Sequence, residues 1–395
     1  MSSRNHSWLL ITALALTGLS MRTAVTSVGA ALDDLQAGLH ASSAVAGIIT
    51  TLPVICFAGL GATTPRLSRR LGSHRLLVIA LAVSTLGMAL RPIGSTAGWF
   101  IPFSVLALAG GAVSNVLLPS LVKAHFPDRI GAMTAVYTTA LAVGTTAAAG
   151  LTVPIGDVAG GWRAGLGSWA LLCALAALPW LPTLRGDHAT LGRTGEAVPL
   201  RALAHSRTAW ALTVFFAAQS MQAYIAFGWF ARFLDDHGVS HGTAGAMVAL
   251  LSAVGIPVSL VAPRVPARRL RPTIALFGLC SVVAYVGLAI APVGGAWAWM
   301  VLAGIGGGTF PIALLLIGLR ARTAAMTAAL SAFVQVIGYL VAGCGPLLFG
   351  ALFGATGSWA LPIGVLFVAL AATMLSAWPS TAHRYVDEEL APSAQ

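Results

Sequence analysis

Charge is what this chain has least of. Only 8% of its 395 residues are Asp, Glu, Lys or Arg, against about a quarter in a soluble domain. So little charge cannot cover a water-facing surface, which excludes an ordinary soluble fold. Acid is scarcer than base, with 11 Asp and Glu against 22 Lys and Arg, and lysine occurs once, as Lys123. Because Val122 precedes that lysine, no phosphate-binding loop of the form G-x-x-x-x-G-K-[ST] exists, and an ATP-driven pump is excluded with it. Cysteine is also sparse. Cys56, Cys173, Cys280 and Cys344 lie far apart inside apolar runs, without metal-ligand spacing, and read as small core residues. No metal and no cofactor is expected.

Apolar length is abundant instead. Hydrophobic residues make up 57% of the chain and the mean hydropathy is +0.87. Roughly 20 apolar residues cross a bilayer core. Windows between charged or turn-rich breaks fall near 8–31, 43–64, 75–92, 98–122, 131–153 and 165–184, then near 208–231, 243–263, 272–291, 295–318, 324–350 and 358–378. The expected fold is an all-α membrane protein of twelve transmembrane helices. Its two six-helix halves span 1–184 and 208–395, the second with a short tail, joined by a polar linker over 185–207. The first run, Trp8 to Ala31, is too long for a signal-peptide core and keeps Arg22 inside it, so it reads as a retained helix.

The basic residues fix an expected orientation. With the N-terminus inside, the cytoplasmic segments hold Arg4, Arg66, Arg69, Arg70, Arg75, Lys123, Arg129, Arg185, Arg193, Arg201, Arg207, Arg264, Arg268, Arg269, Arg271, Arg320, Arg322 and Arg384. Only Arg22, Arg91, Arg163 and Arg232 lie in spans or outside. Such a bias orients helices in the inner membrane, with both termini cytoplasmic. The net charge of +11 is therefore topological, and nucleic acid is not an expected partner.

The halves repeat one another. Ala46-Gly47 precedes Pro65-Arg66 by the same spacing that separates Ala244-Gly245 from Pro263-Arg264, and Arg69-Arg70-Leu71 and Arg268-Arg269-Leu270 follow in turn. Leu108-Ala109-Gly110 matches Leu302-Ala303-Gly304, and Ala132-Met133-Thr134-Ala135 matches Ala325-Met326-Thr327-Ala328. Two parallel six-helix repeats resemble the major facilitator superfamily, whose members bind solutes near the membrane midplane and alternate access by rocking one half against the other.

Within that superfamily several strings resemble the cyanate and 2-nitroimidazole transporters. They are Met21-Arg22-Thr23 with Thr26 to Gly29, Thr51 to Val54, Asn115 to Pro119 with Lys123, and Trp162-Arg163. Further along come Gln219-Ser220, Trp229, Leu330-Ser331, Gly338-Tyr339 and Gly357-Ser358-Trp359. The resemblance implies a secondary transporter rather than an enzyme, with a small-molecule solute and the lipid bilayer as partners, working as a monomer. The superfamily's gating loop between helices 2 and 3 corresponds to Gly61 to Arg70. Its cations survive as Arg66, Arg69 and Arg70, while Pro65 replaces the acidic residue.

Inside the spans the charges are one-sided. All eleven acidic residues are expected in loops or tails, whereas Arg22 stands about 5 Å from the midplane of helix 1 at 1.5 Å per residue. An arginine there costs about 2.5–3.5 kcal/mol on insertion scales and cannot shed its proton. An anionic or strongly dipolar solute is the natural group to offset that cost. Gln219 and Gln222 share a face of helix 7 at i, i+3 with Tyr224 nearby. Gln335 and Tyr339 share a face of helix 11 at i, i+4, and Asn115 projects from helix 4. These six, with Arg22, are the candidate substrate-binding residues. A multidrug/proton antiporter, the alternative, needs a buried carboxylate that the spans lack. Protons are the candidate coupling ion, carried by the solute itself.

Overall fold

The computed structural model describes residues 3–186 and 199–390. Residues 187–198, the greater part of the expected linker, lie outside the described residues. Among the described residues twelve helices are long and apolar enough to cross a membrane. They are α1 Ser7–Ala30, α2 Gly47–Leu71, α3 Ser73–Leu90, α4 Ala97–His125, α5 Pro127–Ala159 and α6 Trp162–Leu184, then α7 Arg207–Asp236, α8 Gly242–Arg264, α9 Ala267–Ile290, α10 Ala296–Leu319, α11 Ala324–Thr356 and α12 Ala360–Ser380.

Helical hydrogen bonding continues past the apolar windows, because backbone groups still pair internally after side chains turn polar. Asp157, Asp235 and Asp236 therefore sit on the terminal turns of α5 and α7, not on loops. The largest correction concerns the expected gating loop. α2 runs through Pro65 to Leu71, and one residue, Gly72 at φ +88°, turns the chain into α3. Arg66, Arg69 and Arg70 are thus exposed on the last two turns of a helix.

The chain forms two compact units. The first comprises Met1–Val198 with Thr323–Ala332, the second Pro199–Arg322 with Phe333–Gln395. In the first, α1 packs on α5 and α6, and α4 on α2 and α3. Close approach there depends on glycine. A Cβ on Gly144 of α5 would overlap the Leu19 backbone, and one on Gly111 of α4 would overlap the Met21 carbonyl. In the second unit α7 packs on α8 and α12, and α9 and α10 pack together around Phe230, Phe233, Tyr285, Phe349 and Leu366.

The C-terminal tail straps that second unit. Val386 N–H donates to the Arg320 carbonyl at 2.9 Å, and Arg322 N–H to the Asp387 carboxylate at 2.8 Å, while the Arg322 guanidinium pairs with Glu388. Glu389 closes on the start of α7, accepting from the Ser206 and Thr208 hydroxyls, each at 2.6 Å, and from Thr208 N–H at 3.1 Å. Negative charge at a helix N-terminus meets the orphan amides and the positive end of the dipole. Arg320, expected among the cytoplasmic basic residues, is buried and caps α12 by donating to the Ser380 and Thr381 carbonyls at 2.9 and 3.1 Å.

Burial raises the Glu389 carboxyl, but the hydrogen bonds from Ser206 and Thr208 and the charge of Arg384 outweigh it and hold the group below the ordinary value of 4.5. Its stabilisation is therefore complete above that ordinary value and is lost as pH falls through the lower folded value. Glu389→Ala is expected to lower stability at pH 7 by about 1 kcal/mol, the usual worth of a cap. The deficit should shrink below pH 4.5 in thermal melts of the two proteins, and a constant deficit at every pH would refute the assignment.

Candidate functional site

Helix α1 is broken at Arg22. Its first segment ends at Ser20 and its second, the outer one in the orientation expected from the sequence, runs Thr23–Ala30, with Met21 and Arg22 in a turn. Local hydroxyls explain the break by occupying backbone acceptors. Ser20 Oγ donates to the Thr17 carbonyl, Thr23 Oγ1 to the Ser20 carbonyl and Thr26 Oγ1 to the Arg22 carbonyl, all within 2.9–3.1 Å. Arg22 caps the new helix start at φ −116°, ψ −2°, and its side chain is half-buried. A guanidinium and a helix N-terminus thus coincide, and both favour negative charge.

Gly111 of α4 lies against the Met21 carbonyl. Asn115 follows one turn later on the same face and is buried. Its backbone carbonyl accepts from Ser331 Oγ at 3.4 Å, from the stretch of α11 that belongs to the same unit. Arg22 and Asn115 thus each lie within one turn of the Gly111–Met21 contact.

The remaining candidates belong to the second unit. Tyr339 meets Phe216 edge-on, with centroids 5.0 Å apart, and stacks with Tyr224 at 6.3 Å. Gln219 donates to the Phe216 carbonyl at 3.0 Å and to Ser220 Oγ at 2.6 Å. Gln335 is buried one turn before Tyr339 on α11. Gln219 and Tyr339 thus meet at Phe216, with Tyr224 on the far side of Tyr339.

Gln222 turns elsewhere. Its amide donates to Thr373 Oγ1 at 3.0 Å and to the Ala218 carbonyl at 3.2 Å, and its oxygen accepts from Tyr285 O–H at 3.0 Å. This residue joins α7 to α9 and α12, so its polar atoms are spent on packing. Sequence spacing placed it beside Gln219 and had no means of revealing the partners on α9 and α12. Gln222→Leu is expected to lower stability by about 1–3 kcal/mol, because Tyr285 and Thr373 lose buried partners, while solute affinity changes less than twofold. Melts paired with binding titrations check both parts.

Arg91 was also missed. It reads in the sequence as an end-of-span residue on the outside, yet it is 0% exposed. Nη1 donates to the Ala24 carbonyl at 2.9 Å and Nη2 to Ser27 Oγ at 3.0 Å, and the guanidinium lies 5.9 Å from the Phe100 ring. Arg91 opening an Arg-Pro pair beside a span was the available signal. Among the described residues no group of three or more His, Cys, Asp or Glu has metal-site geometry.

Comparison with known proteins agrees with this architecture. The Major Facilitator Superfamily profile matches residues 10–346, and the chain belongs to that family: it is a multi-pass membrane transporter of twelve spans, not an enzyme. It is 36% identical to the uncharacterized transporter YycB of Bacillus subtilis (strain 168), covering 92% of this chain and 91% of that one. It is 33% identical to the 2-nitroimidazole transporter of Escherichia coli (strain K12), over 92% and 93% of the two chains. Identity to the cyanate transport protein CynX of the same organism is 26%, over 89% and 91%. The resemblance to cyanate and nitroimidazole transporters is thereby borne out. Among solved structures, the proton:xylose symporter XylE superposes with a TM-score of 0.72 over 98% of both chains at 13% identity, a likeness of fold.

Proposed function

We propose that the protein carries a small anionic, weakly acidic or polar heterocyclic solute across the inner membrane by alternating access, with Arg22 as its electrostatic anchor. The observation that carries this reading is the half-buried guanidinium at the break in α1, set on the N-terminus of the outer segment. A permanent positive charge at a helix start favours a negative group on the ligand. Asn115 orients the ligand in the first half, 1–184. Gln219, Tyr224, Gln335 and Tyr339 do so in the second, 208–395, through amide, phenol and ring faces suited to a small planar molecule. The relatives named for 2-nitroimidazole and cyanate supply the two probes that fit this chemistry.

The basic bias places both termini in the cytoplasm. Protons that accompany transport travel on the solute, and the protein works as a monomer. Thermal stabilisation tests the reading, because a ligand that binds only the folded state at a hundred times its Kd adds about 2.7 kcal/mol. Cyanate or 2-nitroimidazole should raise the Tm of the purified protein in a saturable way. Stabilisation by lipophilic cations alone would favour the multidrug/proton antiporter.

A further inference from the structure

We infer that Arg91 is a positioning residue for the Arg22 site, fastening the outer segment of α1 so that the helix restarts at Thr23 with Arg22 in a fixed place. This rests on the reading of Arg22 as the anchor. Arg91 follows α3, its own N–H completing that helix on the Gly87 carbonyl at 2.9 Å. From there its side chain reaches across 67 residues of sequence to Ala24 and 64 to Ser27. Both acceptors lie on the first turns of the segment that Arg22 caps, about 3–7.5 Å along the axis from Arg22 at 1.5 Å per residue.

Two features argue that this arginine does more than fill space. First, a buried charge held by one carbonyl and one hydroxyl is costly, and apolar residues of similar volume pack such sites at equal or better stability. Second, the fork geometry matters. A planar guanidinium offers two separate nitrogens in a rigid fork to two acceptors on one helix face, a fixed geometry that an ammonium lacks. An eight-residue segment, Thr23–Ala30, is too short to hold its own position, since isolated helices below about 12–15 residues are marginal. The Arg91 side chain is 0% exposed, with Phe100 beneath the guanidinium, so Arg91 does not itself meet the solute. It acts through the turn that it holds.

The test uses full-length protein in detergent and in proteoliposomes, with cyanate as the probe. Arg91→Met is expected to speed amide hydrogen exchange across residues 21–30 at least tenfold, leaving α7 to α12 unchanged. It should raise the KM for cyanate about tenfold, with the maximal counterflow rate within twofold. Arg91→Lys should recover part of both effects, and Ser27→Ala should give a smaller loss of the same kind. In an Arg22→Gln background Arg91→Met should add little to KM, because it acts through a group already removed.

Unchanged exchange over residues 21–30 in folded Arg91→Met overturns the inference, as does an equal KM loss with and without Arg22. Should Arg91→Met fail to fold, Arg91→Lys and Ser27→Ala decide by the same two readouts, and unchanged exchange in both overturns it. If Arg22→Gln alone leaves KM unchanged, the anchor reading fails, and a positive exchange result then confines Arg91 to holding the helix. A KM that rises in Arg22→Gln but not in any Arg91 or Ser27 variant overturns only the role given to Arg91.

Discussion

Arg22→Gln is expected to cost 10- to 100-fold in affinity for cyanate, the largest effect of any single polar substitution in this protein. Hydrogen bonds to a charged group are worth about 1.5–3 kcal/mol, and each 1.4 kcal/mol is a factor of ten. The loss should not come from misfolding. Removing a guanidinium from a span removes an insertion cost of about 2.5–3.5 kcal/mol, and the hydroxyl bonds of Ser20, Thr23 and Thr26 that shape the turn do not involve the Arg22 side chain. Expression and elution as a single species should therefore match the wild type. Arg22→Lys keeps the charge without the planar fork, and its affinity should fall between the two. Calorimetric titration of the three purified proteins measures the series. Folded Arg22→Gln with wild-type affinity would return the arginine to a structural role.

Gly144→Ala is expected to have the largest effect on the fold. Its added methyl meets the carbonyl, carbonyl carbon and Cα of Leu19, which are backbone atoms with no rotamer to yield. α1 must move away from α5 two residues before the Met21–Arg22 turn. Overpacking of this kind costs about 1–3 kcal/mol or more, so less monodisperse protein and a Tm lower by several degrees are expected. Gly150→Ala in the same helix is the control. Nothing stands within 4 Å of its added Cβ, and alanine is a better helix former by about 0.8–1.0 kcal/mol. Melting curves followed by size exclusion should show the first variant destabilised and the second at or above wild type. Equal behaviour of the two would contradict the packing described for α1.

The frame of the protein was legible because membrane insertion is a one-dimensional constraint. The spans follow from apolar length, which is written along the chain. Arg22 stood out for the same reason, as a cost with no carboxylate in the spans. Properties that depend on a second helix were not legible. Gln219 and Gln222 are alike in spacing, but only contact with Thr373 and Tyr285 shows that Gln222 is committed to packing. Arg91 looks like an ordinary outer-end arginine until its reach to Ala24 and Ser27 is seen. Gly111 and Gly144 are two among 44 glycines, and only the path of α1 distinguishes them. The expected loop between α2 and α3 failed because Pro65 suggests an ending. Within a long helix, a proline costs a hydrogen bond that neighbouring groups make good.

We propose that this transporter recognises negative or dipolar solutes through the fixed positive charge of Arg22. Counterflow of labelled cyanate into proteoliposomes tests it most directly, with liposomes lacking protein and Arg22→Gln run beside the wild type. Wild-type vesicles preloaded with unlabelled cyanate should accumulate label transiently, unlabelled 2-nitroimidazole outside should compete, and Arg22→Gln vesicles should need about 10- to 100-fold more cyanate to reach half-maximal exchange. Absence of cyanate and azole exchange, together with uptake of a lipophilic cation driven by a proton gradient and unaffected by Arg22→Gln, would contradict it.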